Sequence, residues 1–356
     1  MELQVKTSSP YRILIKPGCL ASIGAEARGL FREHGKAMII SDSNVFPLYG
    51  DVIRASLEAA GFEAYSFVFP AGESSKQLSS IQEMYAAMAE HRFTRTDFIV
   101  ALGGGVTGDM AGFAAATFLR GVGFIQVPTS LLAQIDSSVG GKTGVDLPQG
   151  KNLVGAFHQP RLVLIDTRTL ATLPAHYFAD GMGEAVKYGC IKSRPLFDMI
   201  RSCHIKDCPD RLADMIYQCV DIKRQVVEND EFDTGERMLL NFGHTLGHAL
   251  EKLRNFSGLS HGEAVGIGMV WISRAGEKHG LTKPGTAKEI AGALAQYGLP
   301  VADSSPLSSV VEATALDKKG AGKNLNLILL KEIGDSFIYP VERDRVSSFL
   351  EGCNHA

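Results

Sequence analysis

What this sequence has little of narrows the field first. Its six cysteines (Cys19, Cys190, Cys203, Cys208, Cys219, Cys353) form no C-x-x-C and no paired spacing, which argues against a zinc knuckle or a disulfide framework and for a reducing cytoplasm. The formal net charge is only −3, so nothing in the balance calls for a nucleic acid or an anionic membrane as partner. No segment approaches the roughly 18 apolar residues that a membrane helix needs, and the N-terminal MELQVKTSSPYRILIKPG lacks the apolar stretch of a secretory signal. Internal repeats and low-complexity segments are missing as well. What is left, with 45% apolar and 21% charged residues over 356 positions, is a soluble globular chain long enough for two cores.

The first half alternates β-rich runs with helical periods. YRILIKPG, AMIISDSN, FEAYSFVFPAG and DFIVALGGG each end in turn formers, and the stretch 75–91 carries Leu78, Ile81, Met84, Tyr85 and Met88 at helical spacing. Strands alternating with helices of this length predict a mostly parallel α/β sheet. After RLVLIDTRTL the strand signals nearly vanish, and from Tyr177 to about Ala313 the periodicity is helical, with Ile216, Val220, Lys223, Val227 and Asp230 down one side of a helix. The expected organisation is an α/β domain over residues 1–172 and a mainly helical domain over 173–356, with two short late strands in NLNLILLKEIGDSFIYPV.

Two constellations carry chemistry. In FIVALGGGVTGDMAGF, Gly103, Gly105 and Gly108 have G-x-G-x-x-G spacing between a strand and a helix, where backbone N–H groups can approach a pyrophosphate at a helix N-terminus. The acidic residue usually found about 20 positions further on is missing, while Asp42 follows an earlier strand. A nucleotide is therefore expected on a sheet not wound in the standard Rossmann order. Glu73 and Lys76, in the polar turn PAGESSK, could reach a ribose or phosphate, although such a turn alone is more often just a loop.

The second constellation is NFGHTLGHALE, with His244 and His248 one helical turn apart. Residues four apart share a helix face. His261 follows in LSHGEAVGIGM, and Glu184 and Lys187 stand in GMGEAVKYG among small and apolar residues, where a carboxylate must be paired or bound to something. Two imidazoles and a carboxylate suit a catalytic metal with an open position, and spacing alone leaves open which three of Glu184, His244, His248 and His261 bind. Arg120, Lys142, Lys151, Asn152, Lys223, Arg237 and Asn241 sit in or near Gly-rich segments. In a slightly acidic chain they point to a small anionic substrate with phosphate, carboxylate or both.

With these motifs in order, and with VPTSLLAQIDSSVGGKTGVD, GKNLVGAFHQP, VVENDE and DKKGAG between and after them, the whole chain resembles the 3-dehydroquinate synthase family. The resemblance implies an N-terminal α/β nucleotide-binding domain, a mainly helical C-terminal domain, and conversion of 3-deoxy-D-arabino-heptulosonate 7-phosphate (DAHP) to 3-dehydroquinate and phosphate. It implies transient oxidation by NAD+, phosphate elimination, return of the hydride and an intramolecular aldol closure, with a divalent Zn2+ or Co2+. By the same resemblance Glu184, His244 and His261 are the metal ligands and His248 handles the phosphate and leaving group. Lys142, Asn152, Lys223, Arg237 and Asn241 hold the substrate, Lys187 and Asp136 line the site, and Arg120 is donated across a homodimer interface. One of Lys318 and Lys319 also reaches the site. For NAD+ it implies Asp42, Asn44, Glu73, Lys76, the turn Gly105, Val106, Thr107 and Gly108, then Asp109, Thr129, Ser130, Lys142, Lys151, Thr169 and Thr172. Ser130 stands where the family leads one to expect threonine.

Three other readings compete. Other sugar phosphate cyclases act on substrates without a carboxylate and have less use for Arg237 and Lys223. A polyol dehydrogenase of the glycerol dehydrogenase type would release NADH and need no basic cluster. A scaffold that had lost its chemistry would not be expected to retain Glu184, His244, His261, Lys142 and Arg237 together.

Overall fold

The structure, a computed structural model, describes residues 1–354 apart from 33, 255–257 and 317–322. The chain gathers into two compact units, Met1–Pro174 with Lys223–Phe232, and Ala175–Ile222 with Asp233–Ala356. The first break thus falls after Pro174, two residues past the expected boundary, and residues 223–232 group with the first unit. Sequence periodicity gives no sign of that excursion, because it runs unbroken through the helix Pro209–Asn229.

In the first unit the strands are β1 (Glu2–Val5), β2 (Tyr11–Ile15), β3 (Lys36–Asp42), β4 (Glu63–Phe69), β5 (Phe98–Gly103), β6 (Gly123–Pro128), β7 (Lys142–Leu147), β8 (Gly150–Phe157) and β9 (Leu162–Ile165). Seven of them form one sheet in the order β1-β2-β9-β6-β5-β3-β4. Only β1 runs antiparallel to its neighbour. Side chains alternate across this sheet: Met38, Ile40, Ile99 and Ala101 pack on one face with Met84, Met88 and Met110, while Ile39, Val100 and Leu102 pack on the other with Ile53, Leu57 and Leu164. A parallel sheet covered on both faces needs continuous apolar strands, which is why AMIIS and FIVALG read as unbroken runs.

Counted from β3, the parallel strands run second, first, third, fourth, fifth, with β9 as the fifth. That is the flavodoxin-like winding and not the standard Rossmann order. The direction of winding reverses between β3 and β5. Ligands of such sheets bind in the crevice outside the carboxyl ends of the strands at that reversal.

Strands β7 and β8 form an antiparallel hairpin, although GGKTGVD and GKNLVG read as glycine-rich turns. Lys142, Lys151 and Asn152 therefore stand on strands. The glycines conceal the strand signal because the pairing requires them: a Cβ on Gly155 would lie 2.2 Å from the Thr143 carbonyl oxygen, and one on Gly144 2.6 Å from that of Val154.

The second unit is built from the helices Ala175–Lys192, Arg194–Ser202, His244–Leu253, His261–Lys278, Thr286–Ala295 and Leu307–Leu316, with the first part of Pro209–Asn229. A late hairpin, β10 (Asn324–Glu332) and β11 (Asp335–Glu342), accompanies them. Among the described residues no helix is long and apolar enough to cross a membrane.

Candidate active site

Three helices of the second unit meet almost backbone to backbone, and glycine makes this possible. A Cβ on Gly183 would lie 2.8 Å from the Gly262 carbonyl oxygen, and one on Gly262 only 2.1 Å from that of Asp180. A Cβ on Gly268 would lie 2.1 Å from the Gly243 carbonyl oxygen. Gly183 precedes Glu184, Gly243 precedes His244 and Gly262 follows His261, so each close approach sets a neighbouring functional side chain. The start of the third helix is fixed independently by a capping box: Ser260 Oγ accepts the Glu263 N–H, and Glu263 Oε2 accepts the Ser260 N–H at 2.8 Å.

The result is a convergence of donors. His244 Nε2 and His261 Nε2 each lie 3.4 Å from Glu184 Oε1. Each imidazole has its other nitrogen committed, His244 Nδ1 to the Phe242 carbonyl at 3.1 Å and His261 Nδ1 towards Glu251 Oε2 at 3.7 Å. Those partners favour the tautomer that leaves an Nε2 lone pair facing the carboxylate. A tetrahedral ion at about 2.0–2.1 Å from its ligands separates them by about 3.3–3.4 Å, so the donor set fits a zinc-like ion.

Electrostatics agree with a cation there. Burial pushes His244 down to about 3 against the pull of Glu184. Burial also works to lower His261, but hydrogen bonds that its ring donates to Glu184 and Glu251 outweigh it and carry this group up to about 10. Lys187, itself buried, pairs with Glu184 on the next helical turn.

His248 lies on the same helix, with its ring centroid 5.4 Å from that of His244 and 5.9 Å from that of His261. It is exposed. With Glu251 and His261 it makes a second group whose ligand atoms lie within 4.8 Å of one another.

In the first unit, most of the residues expected at the coenzyme lie at the carboxyl ends of the parallel strands: Asp42 and Asn44 at the end of β3, Glu73 and Lys76 after β4, Gly105 to Asp109 after β5, Thr129 and Ser130 after β6, Thr169 and Thr172 after β9, whereas Lys142 and Lys151 stand on the β7–β8 hairpin. Thr107 Oγ1 donates to Asp42 Oδ2 at 3.4 Å, across the reversal between β3 and β5. The other oxygen of Asp42 accepts the N–H groups of Asn44 and Val45 at 2.9 and 3.0 Å. Glycine is needed at the end of β5, where a Cβ on Gly103 would lie 2.3 Å from Thr107 Oγ1.

Comparison with known proteins now decides the family. Two family models, described as 3-dehydroquinate synthase N-terminal and C-terminal, match residues 66–180 and 181–320. The 3-dehydroquinate synthase of Clostridium acetobutylicum is 46% identical over 354 residues, 98% of each chain. The chain belongs to the 3-dehydroquinate synthase family. Among solved structures, 2-deoxy-scyllo-inosose synthase complexed with carbaglucose-6-phosphate, NAD+ and Co2+ is 27% identical with TM-score 0.86, covering 98% of this chain and 99% of that one. The 2-epi-5-epi-valiolone synthase of Streptomyces hygroscopicus, with NAD+ and Zn2+ bound, is 26% identical with TM-score 0.85, covering 99% and 98%.

For a 3-dehydroquinate synthase, the remaining expected residues are distributed over both units. Lys187, Arg237, Asn241 and His248 belong to the second, Arg237 buried and Asn241 exposed. Lys142, Asn152, Asp136 and Lys223 belong to the first, where buried Lys223 pairs with the carboxylate of Asp136 and donates to its backbone carbonyl at 2.6 Å. Asp136 stands in a π-helical turn, Ala133–Ser137, a distortion frequent at functional sites. Arg120 is exposed, with Leu119 and Arg120 at φ 51 and 67. Thr169 is enclosed, its hydroxyl donating to the Asp166 carbonyl at 2.9 Å and accepting from Gln134 at 3.0 Å. Lys318 and Lys319 lie outside the described residues.

Sequence reasoning passed over three carboxylates. Glu251 orients His261, and Asp180 Oδ1 accepts the Gly262 N–H at 2.5 Å. Asp146 Oδ1 accepts the N–H of Asn152 at 2.7 Å, holding that residue at φ 53. For Glu251 a signal existed, at i+7 from His244 and three past His248; Asp146 carries none outside its fold.

Asn152 also touches the coenzyme-assigned group. Lys76, buried, donates to Asp109 Oδ2 and to Asn152 Oδ1, both at 2.6 Å. Burial works against its charge, but Asp109 outweighs it and raises the lysine above its ordinary value. Lys76→Met is expected to destabilise the fold by about 3 kcal/mol, since it strips a largely buried carboxylate of its cation. Urea unfolding checks this, and adding Asp109→Asn is expected to restore much of the loss.

Proposed function

We propose that this chain converts DAHP to 3-dehydroquinate and phosphate, with NAD+ recycled in each turnover, and that the residues described above divide the work as follows. The observation that carries the reading is the three-donor set Glu184, His244 and His261 in a chain 46% identical to a 3-dehydroquinate synthase over nearly its whole length. When bound, NAD+ supplies reversible hydride acceptance and the divalent ion supplies Lewis acidity at a substrate hydroxyl.

Glu184, His244 and His261 would hold the ion, with Glu251 and Phe242 fixing the two imidazoles. Lys187 balances the buried Glu184 carboxylate. His248, exposed beside the ligands, is placed to exchange a proton with solvent and with the departing phosphate. Arg237, Lys223, Lys142, Asn152 and Asn241 supply the cationic and amide groups that bind a carboxylate and a phosphate. Retention of Arg237 and Lys223 favours the carboxylated substrate over those of other sugar phosphate cyclases. The turn Gly105–Gly108 with Asp109, the acids Asp42 and Glu73, Lys76 and Lys151, and the hydroxyls of Thr129, Ser130 and Thr172 would form the NAD+ site, with the enclosed Thr169 supporting the segment that carries Thr172. A cytoplasmic homodimer, with Arg120 donated to the partner's site, belongs to the same reading.

Metal removal tests it. Phosphate release from DAHP with NAD+ is expected to cease on chelation and to return with Zn2+ or Co2+. Release that persists unchanged in the chelated protein contradicts the proposed role of the donor set.

A further inference from the structure

Four of the six thiols are sealed: Cys19, Cys190, Cys219 and Cys353 are buried. Burial pushes Cys19 and Cys353 up to about 12 and Cys190 higher. Cys203 and Cys208 differ. Both are half-buried, and they flank the one-turn helix Ile205–Asp207 in the second unit, near enough that each influences the ionisation of the other. Arg211 Nη1 lies 3.4 Å from Cys203 Sγ and donates to Ser202 Oγ at 2.7 Å. The segment between the thiols is clamped: Gln296 Nε2 donates to the Cys203 carbonyl at 2.9 Å, and the Ile205 N–H reaches the Tyr297 hydroxyl at 3.4 Å.

From this geometry we infer that Cys203 and Cys208 form a peroxide-reactive dithiol, with Cys203 as nucleophile, Cys208 as resolving thiol and Arg211 as the cation that steadies the attacking sulfur. Some burial opposes ionisation of Cys203, but the Cys208 thiol and Arg211 outweigh it and lower this group below the ordinary thiol range. Cys208 is raised, chiefly by the neighbouring Cys203, and the Arg211 guanidinium lies 3.4 Å from the sulfur of Cys203, which gives Cys203 the nucleophile's role. A thiolate beside a cation and next to a second thiol is the arrangement of a redox-active cysteine. A metal is not the alternative: among the described residues no group of three ligating side chains includes either cysteine.

The chemistry balances with hydrogen peroxide as oxidant. Cys203 sulfur attacks one peroxide oxygen, the O–O bond breaks, and the departing hydroxide takes a proton to become water, leaving a sulfenic acid. Cys208 sulfur then attacks that sulfur, the S–S bond forms, and the S–O bond breaks with loss of a second water. Two thiols and one peroxide give one disulfide and two waters, and a thiol reductant reverses the change.

The test uses the intact holoenzyme, equimolar hydrogen peroxide, alkylation of remaining thiols and peptide mapping. Expected are a mass loss of two hydrogens and a single Cys203–Cys208 cross-link, with the other four cysteines alkylated. In Cys208→Ser, Cys203 is expected to stop at a sulfenic acid trapped by dimedone; in Cys203→Ser, Cys208 is expected to stay reduced. Arg211→Met is expected to react roughly threefold more slowly, because loss of the cation raises the thiol and cuts the thiolate fraction while partly raising its nucleophilicity. Retention of both thiols, a cross-link to any other cysteine, oxidation of Cys208 without Cys203, or an unchanged rate in Arg211→Met overturns the assignment.

Discussion

His261→Ala is expected to empty the metal site and reduce phosphate release by at least about a thousandfold, because Lewis-acid assistance amounts to several kcal/mol at the transition state. His248→Ala is expected to keep about one metal ion per chain while still slowing turnover. The two imidazoles differ in place as well as in number. His261 Nε2 stands 3.4 Å from the Glu184 carboxylate, and its other nitrogen faces Glu251, whereas His248 is exposed at the edge of the cluster. Elemental analysis after dialysis, beside a phosphate assay, separates the outcomes. Loss of metal in His248→Ala would move the ion to the alternative group of His248, Glu251 and His261.

Gly262→Ala is expected to damage the same site without touching a donor atom. The added methyl would fall 2.1 Å from the Asp180 carbonyl oxygen, so the helices Ala175–Lys192 and His261–Lys278 must separate. Overpacking of this kind destabilises by about 1–3 kcal/mol. Since Glu184 rides on one helix and His261 on the other, metal affinity is expected to fall as well, by roughly 10–100-fold, the range seen when a supporting shell is disturbed. A chelator titration reads the affinity and a thermal melt the stability. Normal metal affinity in a destabilised Gly262→Ala protein would show that this contact supports the fold but not the site.

Much of this was open to reading because the strongest signals are local. AMIISD and FIVALG had to be buried on both faces, and the alternation with helices specified a parallel sheet. The glycine turn and Asp42 marked the two strands that flank the reversal of winding. The His-x3-His pair marked the helix of the proposed metal site, yet spacing by itself did not separate proposed ligand from neighbour: His248 has nearly the same helical phase as His244. That separation depends on where Glu184 is carried by the contact of Gly183 with Gly262, a tertiary fact with no period in the sequence. The hairpin β7–β8 was hidden for a related reason, since the close pairing of Gly144 and Gly155 demands residues that elsewhere signal turns. The grouping of 223–232 with the first unit was hidden because a continuous helix gives no break to read.

The most direct test of a cyclase that recycles its coenzyme is phosphate and NADH followed together in one cuvette, with DAHP, NAD+ and the zinc- or cobalt-loaded protein. The expected result is many phosphates released per chain with no lasting rise in absorbance at about 340 nm, the nicotinamide being reoxidised within each turnover. NADH accumulating in step with product, or NADH formed from simple polyols without phosphate release, would contradict the synthase reading and make the protein a metal-dependent dehydrogenase.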